Sequence, residues 1–237
     1  MRTTRFTTSI QKTGAGLKPE NPLTVIIPAA GMGHRMKSYG PKCLLQANQK
    51  ETILEKTICN IKKEYPYCDI IVIVGFESEK IIKSLPHDIR IVENQRYRET
   101  NIGESIRLGI NASANKNLLI VYGDLVFNVY SIRGITSNGP CVVVDSKSRF
   151  KEDEVGVMVV DDMVTNFAYG LPSKWSQIAY LENEAFDLLK LLCSDKRKDK
   201  LYPFELLNII INSGIELKAR EPKGMLIKEV DSMKDLQ

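Results

Sequence analysis

Residues 25–45 read VIIPAAGMGHRMKSYGPKCLL, an apolar run followed by a glycine-rich turn. The run is typical of a strand that is buried on both faces of a sheet. Glycines after such a strand let backbone N–H groups approach phosphate oxygens, and Arg35 and Lys42 add two cations suited to phosphate. The stretch therefore predicts a buried strand that carries a phosphate-binding loop at its carboxyl end.

Two common phosphate-binding motifs do not fit this loop. A dinucleotide-binding turn needs GxGxxG, and here Gly31 and Gly33 are followed by Met36 where the third glycine should stand. A Walker A loop needs GxxxxGK followed by Ser or Thr, which this stretch also lacks. Backbone donors combined with two cations are suited to a triphosphate, so a triphosphate is the ligand we expect.

Outward from this stretch, strand-like and helix-like segments alternate. Alternation of this kind predicts βαβ units and a largely parallel sheet covered on both faces, which is a three-layer α/β/α sandwich. The second half has shorter apolar runs, some of them antiparallel, so the sheet is expected to be mixed. We expect strands at 23–29, 69–75, 89–94, 118–124, 140–146, 155–160, 163–169 and 174–181, and helices at 52–65, 77–85, 102–113, 182–193 and 201–214.

Composition indicates one folded domain over residues 23–237, preceded by a flexible basic arm over residues 1–22. The chain has 237 residues, of which 43% are hydrophobic, enough for one sizeable core. The arm carries most of the net charge of +4, and the nearly neutral remainder argues against a nucleic-acid surface. No apolar stretch approaches the roughly 18 residues that span a membrane, so no membrane partner is expected.

The five cysteines are scattered along the chain, and none forms a CxxC pair. This spacing argues against a zinc site and against a disulfide framework. Free thiols are typical of a reducing compartment, so we expect a cytoplasmic protein.

Two acidic residues, Asp124 and Asp231, are candidates for the same site as the glycine-rich loop. Ligands of open α/β sheets bind beyond the carboxyl ends of the strands. Gly123 and Asp124 end the strand at 118–124, so they share an edge with the glycine-rich loop and are expected to face the same cleft. Asp231 lies in KEVDSMKDL near the end of the chain.

The ordered spacing of the loop resembles the signature of nucleotidyltransferases with a GT-A-like α/β fold. That group includes the sugar-nucleotide pyrophosphorylases, the cytidylyltransferases and the MobA-like NTP transferases. The resemblance runs from about residue 23 to the C-terminus and weakens over 126–222. The matching positions in the loop are Gly31, Gly33, Arg35, Met36, Pro41 and Lys42.

The resemblance implies an enzyme that couples a nucleoside triphosphate to a phosphate monoester and releases pyrophosphate. CTP is favoured, because the opening Pro28–Gly31 is common in the cytidylyl branch. The acceptor is expected to be a sugar, polyol or amino-alcohol phosphate. Arg35 and Lys42 are the implied catalytic residues. The implied nucleotide-binding residues are Ala29, Ala30, Gly31, Met32, Gly33, Thr100, Asn101, Gly103, Ser105 and Gly123.

The resemblance also implies Mg²⁺ held by Asp124 and Asp231, whose carboxylate oxygens are ligands that Mg²⁺ prefers. The alternative is that Asp124 merely ends a strand and Asp231 caps a short helix. Likewise, Asn101 or Thr100 is either a nucleotide contact or a helix cap. A second catalytic lysine is usual in relatives, and its candidates are Lys147, Lys174 and Lys228.

Three aromatic residues, Tyr169, Trp175 and Tyr180, are candidates for one wall of the acceptor pocket. Their face would suit a cationic group on the acceptor. Packing within the sheet is the alternative. The apolar strands over 140–181 also make a homodimer possible, through pairing across two copies.

Two other functions remain open at this point. A glycosyltransferase of the same fold would need a D-x-D metal motif, but Asp124 is followed by Leu125 and Val126. That function would also leave Pro41 and Lys42 unexplained. A non-catalytic nucleotide-binding regulator is the second alternative, and the retention of both acids speaks against it.

Overall fold

The apolar run that begins at Leu23 forms β1 of a nine-stranded sheet. A computed structural model describes residues 22–33, 40–198 and 200–236. The strands are β1 (Leu23–Pro28), β2 (Asp69–Val74), β3 (Arg90–Glu93), β4 (Asn117–Val121), β5 (Leu125–Phe127), β6 (Cys141–Asp145), β7 (Val155–Val160), β8 (Met163–Tyr169), β9 (Ser173–Leu181), β10 (Lys218–Arg220) and β11 (Ile227–Glu229). The α-helices are α1 (Ile53–Glu64), α2 (Ser78–Ser84), α3 (Ile102–Ala112), α4 (Asn183–Ser194) and α5 (Pro203–Asn212).

The sheet is mixed, with a parallel half and an antiparallel half. Its order is β3-β2-β1-β4-β9-β6-β10-β8-β7. β1 pairs parallel with β2 and β4, and β2 pairs parallel with β3. β9 then runs antiparallel between β4 and β6 and also pairs with β7, so this one strand joins the two halves.

Helices cover both faces of the sheet, which confirms the predicted three-layer α/β/α fold. All six residues of β1 are buried, and they alternate between two apolar cores. Ile26 packs into the core under α3, α4 and α5, while Val25 and Ile27 pack into the core under α1 and α2. A strand with cores on both sides cannot alternate polar and apolar residues, which explains its continuous apolar sequence.

The segments predicted from periodicity agree with the structure to within a few residues. Three strands of three residues each, β5, β10 and β11, were not predicted. β5 pairs antiparallel with β11, about a hundred residues later. The predicted arm lies outside the described residues, apart from Pro22. Over the described part of the chain, no helix combines the length and the apolar character needed to cross a membrane.

Candidate active site

The glycine-rich loop begins where β1 ends, and its first residues are tied to β2. The Ala29 N–H donates to the Ile73 carbonyl at 2.8 Å, and the Phe76 N–H donates to the Ala30 carbonyl at 3.1 Å. Among the described residues, no protein atom accepts a hydrogen bond from the N–H groups of Ala30–Gly33. These donors are available to a ligand, as a phosphate-binding loop requires.

Arg35 and Met36 fall within 34–39, outside the described residues. The predicted phosphate-binding role of Arg35 therefore stays a prediction. The loop is described again from Gly40, and Lys42 begins a short 3-10 turn over Lys42–Leu44.

Lys42 lies between the two predicted metal-binding acids. Its Nζ donates to Asp231 Oδ1 at 2.8 Å and lies 3.5 Å from Asp124 Oδ2. The side chains are 18%, 26% and 26% exposed, respectively, so the three charges are largely shielded from water. Burial pulls the pKa of Lys42 down, but the two carboxylates outweigh it and the pKa is raised. Lys42 therefore carries its positive charge at neutral pH.

The fold, and not the local sequence, brings the acids together. Gly123 follows β4, and its N–H donates to the Pro28 carbonyl at 3.2 Å, which fixes Asp124 beside the end of β1. Val230 follows β11, and its N–H donates to the Asp124 carbonyl at 2.9 Å. These two bonds place Asp231, more than a hundred residues later, against the same lysine.

The Asp231 carboxylate contacts Lys42 through Oδ1 at 2.8 Å. In the last turn, Asp235 Oδ2 accepts the backbone N–H groups of Asp231 at 3.0 Å and Ser232 at 2.6 Å. Across the described part of the chain, no group of three or more His, Cys, Asp or Glu side chains is placed to hold a metal ion. A bound cation would thus need oxygen atoms from a substrate beside the two carboxylates.

A cleft of about 420 Å³, the first cleft, opens over the glycine-rich loop. It combines most of the predicted nucleotide-binding residues with several that the sequence did not reveal. The predicted residues that line it are Ala29, Ala30, Gly31, Met32, Gly33, Lys42, Thr100, Asn101, Ser105, Gly123 and Asp124. The others include Asn94, Tyr97, Arg98 and Tyr202.

Asn94 was missed although it directly follows β3, at the edge where ligands bind. It is 2% exposed, and its Nδ2 donates to Thr100 Oγ1 and Ser105 Oγ, both at 3.3 Å. Its place after a strand was the signal that would have identified it.

Asn101 caps α3, which confirms that part of the capping interpretation. Its Oδ1 accepts the Gly103 N–H at 3.0 Å, so Gly103 is buried at the start of the helix and does not line the cleft. The Asn101 amide also donates to the carbonyls of Lys200 and Leu201, at 2.7 Å each. Glu104 pairs with Arg107 at 2.6 Å instead of completing a capping box.

A second cleft of about 500 Å³ is lined by Asp231, whereas Asp124 lines the first cleft. Lys174 lines it, pairs with Glu154 and lies 3.7 Å from Glu229. Lys228 also lines it, whereas the Lys147 side chain is 84% exposed and pairs with Glu221 at 3.4 Å. Lys174 is therefore the best placed of the three lysine candidates.

Glu229 lines the second cleft, and the charges of Asp124 and Asp231 affect its pKa. Burial raises the pKa of Glu229, and the negative charge of Asp124 adds to the rise. Gln177 hydrogen-bonds the Glu229 carboxyl, and this bond and the charge of Lys174 act in the opposite direction.

The three predicted acceptor-binding aromatics line neither cleft. Trp175 is 4% exposed and packs its ring against Tyr122 and Phe167. Tyr180 is 3% exposed and donates its hydroxyl to Glu182 at 2.7 Å. Tyr169 is 55% exposed and packs edge-on against Phe204. Packing within the sheet, the alternative interpretation, is what the structure shows for Trp175 and Tyr180, whereas Tyr169 packs against α5.

This arrangement agrees with one known family. A family model of the MobA-like NTP transferase domain matches residues 25–201, most of the chain. The chain belongs to the MobA-like NTP transferase family. The match contains the glycine-rich loop, Lys42 and Asp124, while Asp231 lies beyond its end.

Solved structures of nucleotidyltransferases share the fold of this MobA-like chain. CTP:phosphocholine cytidylyltransferase from Streptococcus pneumoniae is similar with a TM-score of 0.74 and 20% identity, over 90% of this chain and 96% of the other. The inositol-1-phosphate CTP transferase from T. maritima has a TM-score of 0.72 and 17% identity, over 90% of this chain and 91% of the other. A putative glucose-1-phosphate thymidylyltransferase from Bacillus anthracis has a TM-score of 0.75 and 16% identity, over 91% of this chain and 92% of the other.

Curated relatives match over a shorter stretch. The bifunctional protein GlmU from Solibacter usitatus is 37% identical over 106 residues, which are 44% of this chain and 22% of that protein. GlmU from Neisseria meningitidis is 32% identical over 108 residues, 45% of this chain and 23% of that protein. The MobA-like chain thus matches less than a quarter of the length of these relatives.

Proposed function

We propose that this chain transfers a nucleotidyl group from a nucleoside triphosphate to a phosphate monoester and releases pyrophosphate. The observation that carries the proposal is the Lys42–Asp124–Asp231 cluster at the junction of two clefts. Asp124 lines the first cleft, which contains the glycine-rich loop, and Asp231 lines the second. Two substrates bound in these clefts would meet at the cluster.

The chemistry requires positioning and charge neutralisation more than covalent participation of the protein. An oxygen of the acceptor phosphate attacks the α-phosphorus of the triphosphate, and a new P–O bond forms. The bond from the α-phosphorus to the bridging oxygen breaks, and pyrophosphate leaves with its electron pair. Lys42 would stabilise the negative charge on the α-phosphate, and the free N–H groups of Ala30–Gly33 would hold the other phosphates together with Arg35.

The donor set at the cluster fits a divalent cation. Two carboxylates converge on one point, where the Lys42 ammonium now supplies the positive charge. Mg²⁺ usually combines one or two carboxylates with phosphate oxygens. Asp124 and Asp231 would hold such an ion, which when bound would neutralise phosphate charge. Lys42 would then turn from the acids to the substrate.

CTP is the proposed nucleotide. The Pro28–Gly31 opening supports it, as do the CTP-dependent activities named for two proteins of similar fold. The direct test mixes the protein and Mg²⁺ with each of four nucleoside triphosphates and a panel of phosphate monoesters. Pyrophosphate release that depends on one pair supports the proposal.

The Lys42→Ala variant tests the cluster itself. We expect its pyrophosphate release to fall by at least about a hundredfold, because the charge that stabilises the transition state is lost. Lys116→Ala is the matched control, since Lys116 is a surface lysine that pairs with Asp187. Normal release by a folded Lys42→Ala protein would contradict the assignment. Binding of nucleotide without release by the wild type would indicate a regulator, and turnover of a nucleotide sugar alone would indicate a glycosyltransferase.

A further inference from the structure

Gln177 has a backbone conformation that residues other than glycine rarely adopt. Its φ is +57°, in the left-handed region, although it lies inside β9. Glycine occupies this region without strain, whereas other residues are held there only when their surroundings demand it. Residues with such strain are concentrated at functional sites.

A bulge in β9 imposes this conformation. Val142 pairs with Ala179 and Val144 pairs with Trp175, so three residues of β9 lie opposite the single Val143. The Trp175 indole N–H donates to the Ile178 carbonyl at 3.5 Å and so spans the bulge from the core side. Bulges next to active sites change the direction of a side chain. Trp175 therefore supports the bulge rather than contacting a substrate.

The bulge places the Gln177 amide in the second cleft. Gln177 lines this cleft together with Lys174, Glu229 and Asp231. A side-chain amide has two N–H donors and a carbonyl acceptor. The Gln177 amide can therefore hydrogen-bond a ligand next to the proposed site of transfer.

We propose that Gln177 selects the acceptor by hydrogen-bonding a hydroxyl group of a polyhydroxylated phosphate monoester. This inference rests on the proposed function. The lining of the second cleft supports it, because Phe150 is the single aromatic residue among the described residues that line the cleft. A quaternary ammonium group is usually recognised by several aromatic faces. The remaining lining is almost entirely charged or polar, which suits hydroxyl groups.

The test uses a substitution that removes the side chain without straining the backbone. Gln177→Gly places at this position a residue that tolerates the positive φ, so the variant is expected to fold. Asp162→Gly is the matched control, because Asp162 has a φ of +62° in the β7–β8 turn, away from the second cleft. Glucose 1-phosphate, glycerol 3-phosphate, ribitol 5-phosphate and phosphocholine are the acceptor probes, followed by deoxy analogues of the best probe.

We expect the wild type to prefer one hydroxylated probe over its deoxy analogue by about tenfold or more in kcat/KM, since a site built around a hydroxyl group discriminates against its absence. Gln177→Gly should bring this ratio close to one and leave the KM for the triphosphate unchanged. Asp162→Gly should retain the wild-type ratio.

Two results would overturn the inference while leaving the proposed function intact. One is a ratio that Gln177→Gly does not change for any deoxy analogue. The other is phosphocholine as the best acceptor of the wild type. Failure of every probe to support pyrophosphate release would instead refute the proposed function, and the inference with it.

Discussion

At the residue scale, the negative charge of Asp124 is unfavourable where the fold places it, because the carboxyl is largely removed from water. Burial raises the pKa of Asp124 and outweighs the lowering effect of Lys42. A carboxyl with a raised pKa holds its proton more tightly in the folded protein than in the unfolded chain. As the pH rises from the pKa of Asp124 in the unfolded chain through its pKa in the folded protein, the free energy of unfolding therefore decreases. Above the folded pKa, Asp124 is ionised in both states, and the native state keeps the full unfavourable free energy of the buried charge.

The substitution Asp124→Asn separates this cost from function. Asn cannot ionise, so we expect the variant at pH 7 to have a melting temperature equal to or above that of the wild type. Pyrophosphate release should nevertheless fall by at least about a hundredfold, because a carboxylate of the proposed metal site is lost. The measurements are thermal unfolding and coupled-enzyme detection of pyrophosphate.

Asp187→Asn is the control for Asp124→Asn, since Asp187 is an exposed acid on α4 that pairs with Lys116 at 3.0 Å. It should change neither quantity appreciably, as exposed pairs contribute little. A strong loss of stability in Asp124→Asn alone would show that its ion pair with Lys42 outweighs the cost of burial.

At the element scale, the close contact of β4 with β1 determines the geometry of the site. A Cβ atom on Gly123 would lie 2.7 Å from the Pro28 carbonyl oxygen, so no side chain fits between the ends of these strands. A Cβ built on Gly31, by contrast, would have no atom of the described residues within 4 Å, and the φ of Gly31 is not in the left-handed region. One glycine is thus required by packing, and the other is free for contact with a ligand.

The variant Gly123→Ala should therefore affect stability, whereas Gly31→Ala should affect binding of the triphosphate. Gly123→Ala should lower the melting temperature by several degrees, because overpacking costs about 1–3 kcal/mol. Gly31→Ala should keep the wild-type melting temperature but raise the KM for the triphosphate by about tenfold, because a methyl group would block the approach of phosphate to the backbone. Differential scanning fluorimetry and steady-state kinetics distinguish the two. Equal melting temperatures for both variants would contradict the packing argument.

The sequence predicted elements well where burial alone dictates the pattern, as in β1 and β2. It did not predict β5, because pairing with a distant strand leaves no local signal in three residues. The sequence also could not decide whether Trp175 and Tyr180 belong to the core or to the acceptor pocket. A strand between two helical layers is apolar on both faces, so the sequence does not say which face meets a ligand. The sequence did predict that Asp124 and the glycine-rich loop share one cleft, because both lie at the carboxyl ends of strands in one sheet. The place of Asp231 was predictable only through resemblance, because no spacing rule joins it to residues so far away.

At the scale of the whole molecule, β9 makes the two halves of the sheet one unit. It hydrogen-bonds β4 of the parallel half and also β6 and β7 of the antiparallel half. The sequence places no linker between the halves, and the proposed active site draws residues from both. Separate unfolding of either half would break these ladders and expose the apolar residues of β9.

We therefore expect one cooperative unfolding transition in urea. The only tryptophan, Trp175, lies in the core under α3, α4 and α5, so its fluorescence reports on one side of the sheet. Ile61 lies in the opposite core, in α1, and is fully buried. Its truncation in Ile61→Ala should cost about 2–5 kcal/mol. If the sheet unfolds as a unit, this change shifts the tryptophan midpoint as much as the midpoint seen by far-UV circular dichroism. A shift in the circular dichroism alone would show that the two layers unfold independently.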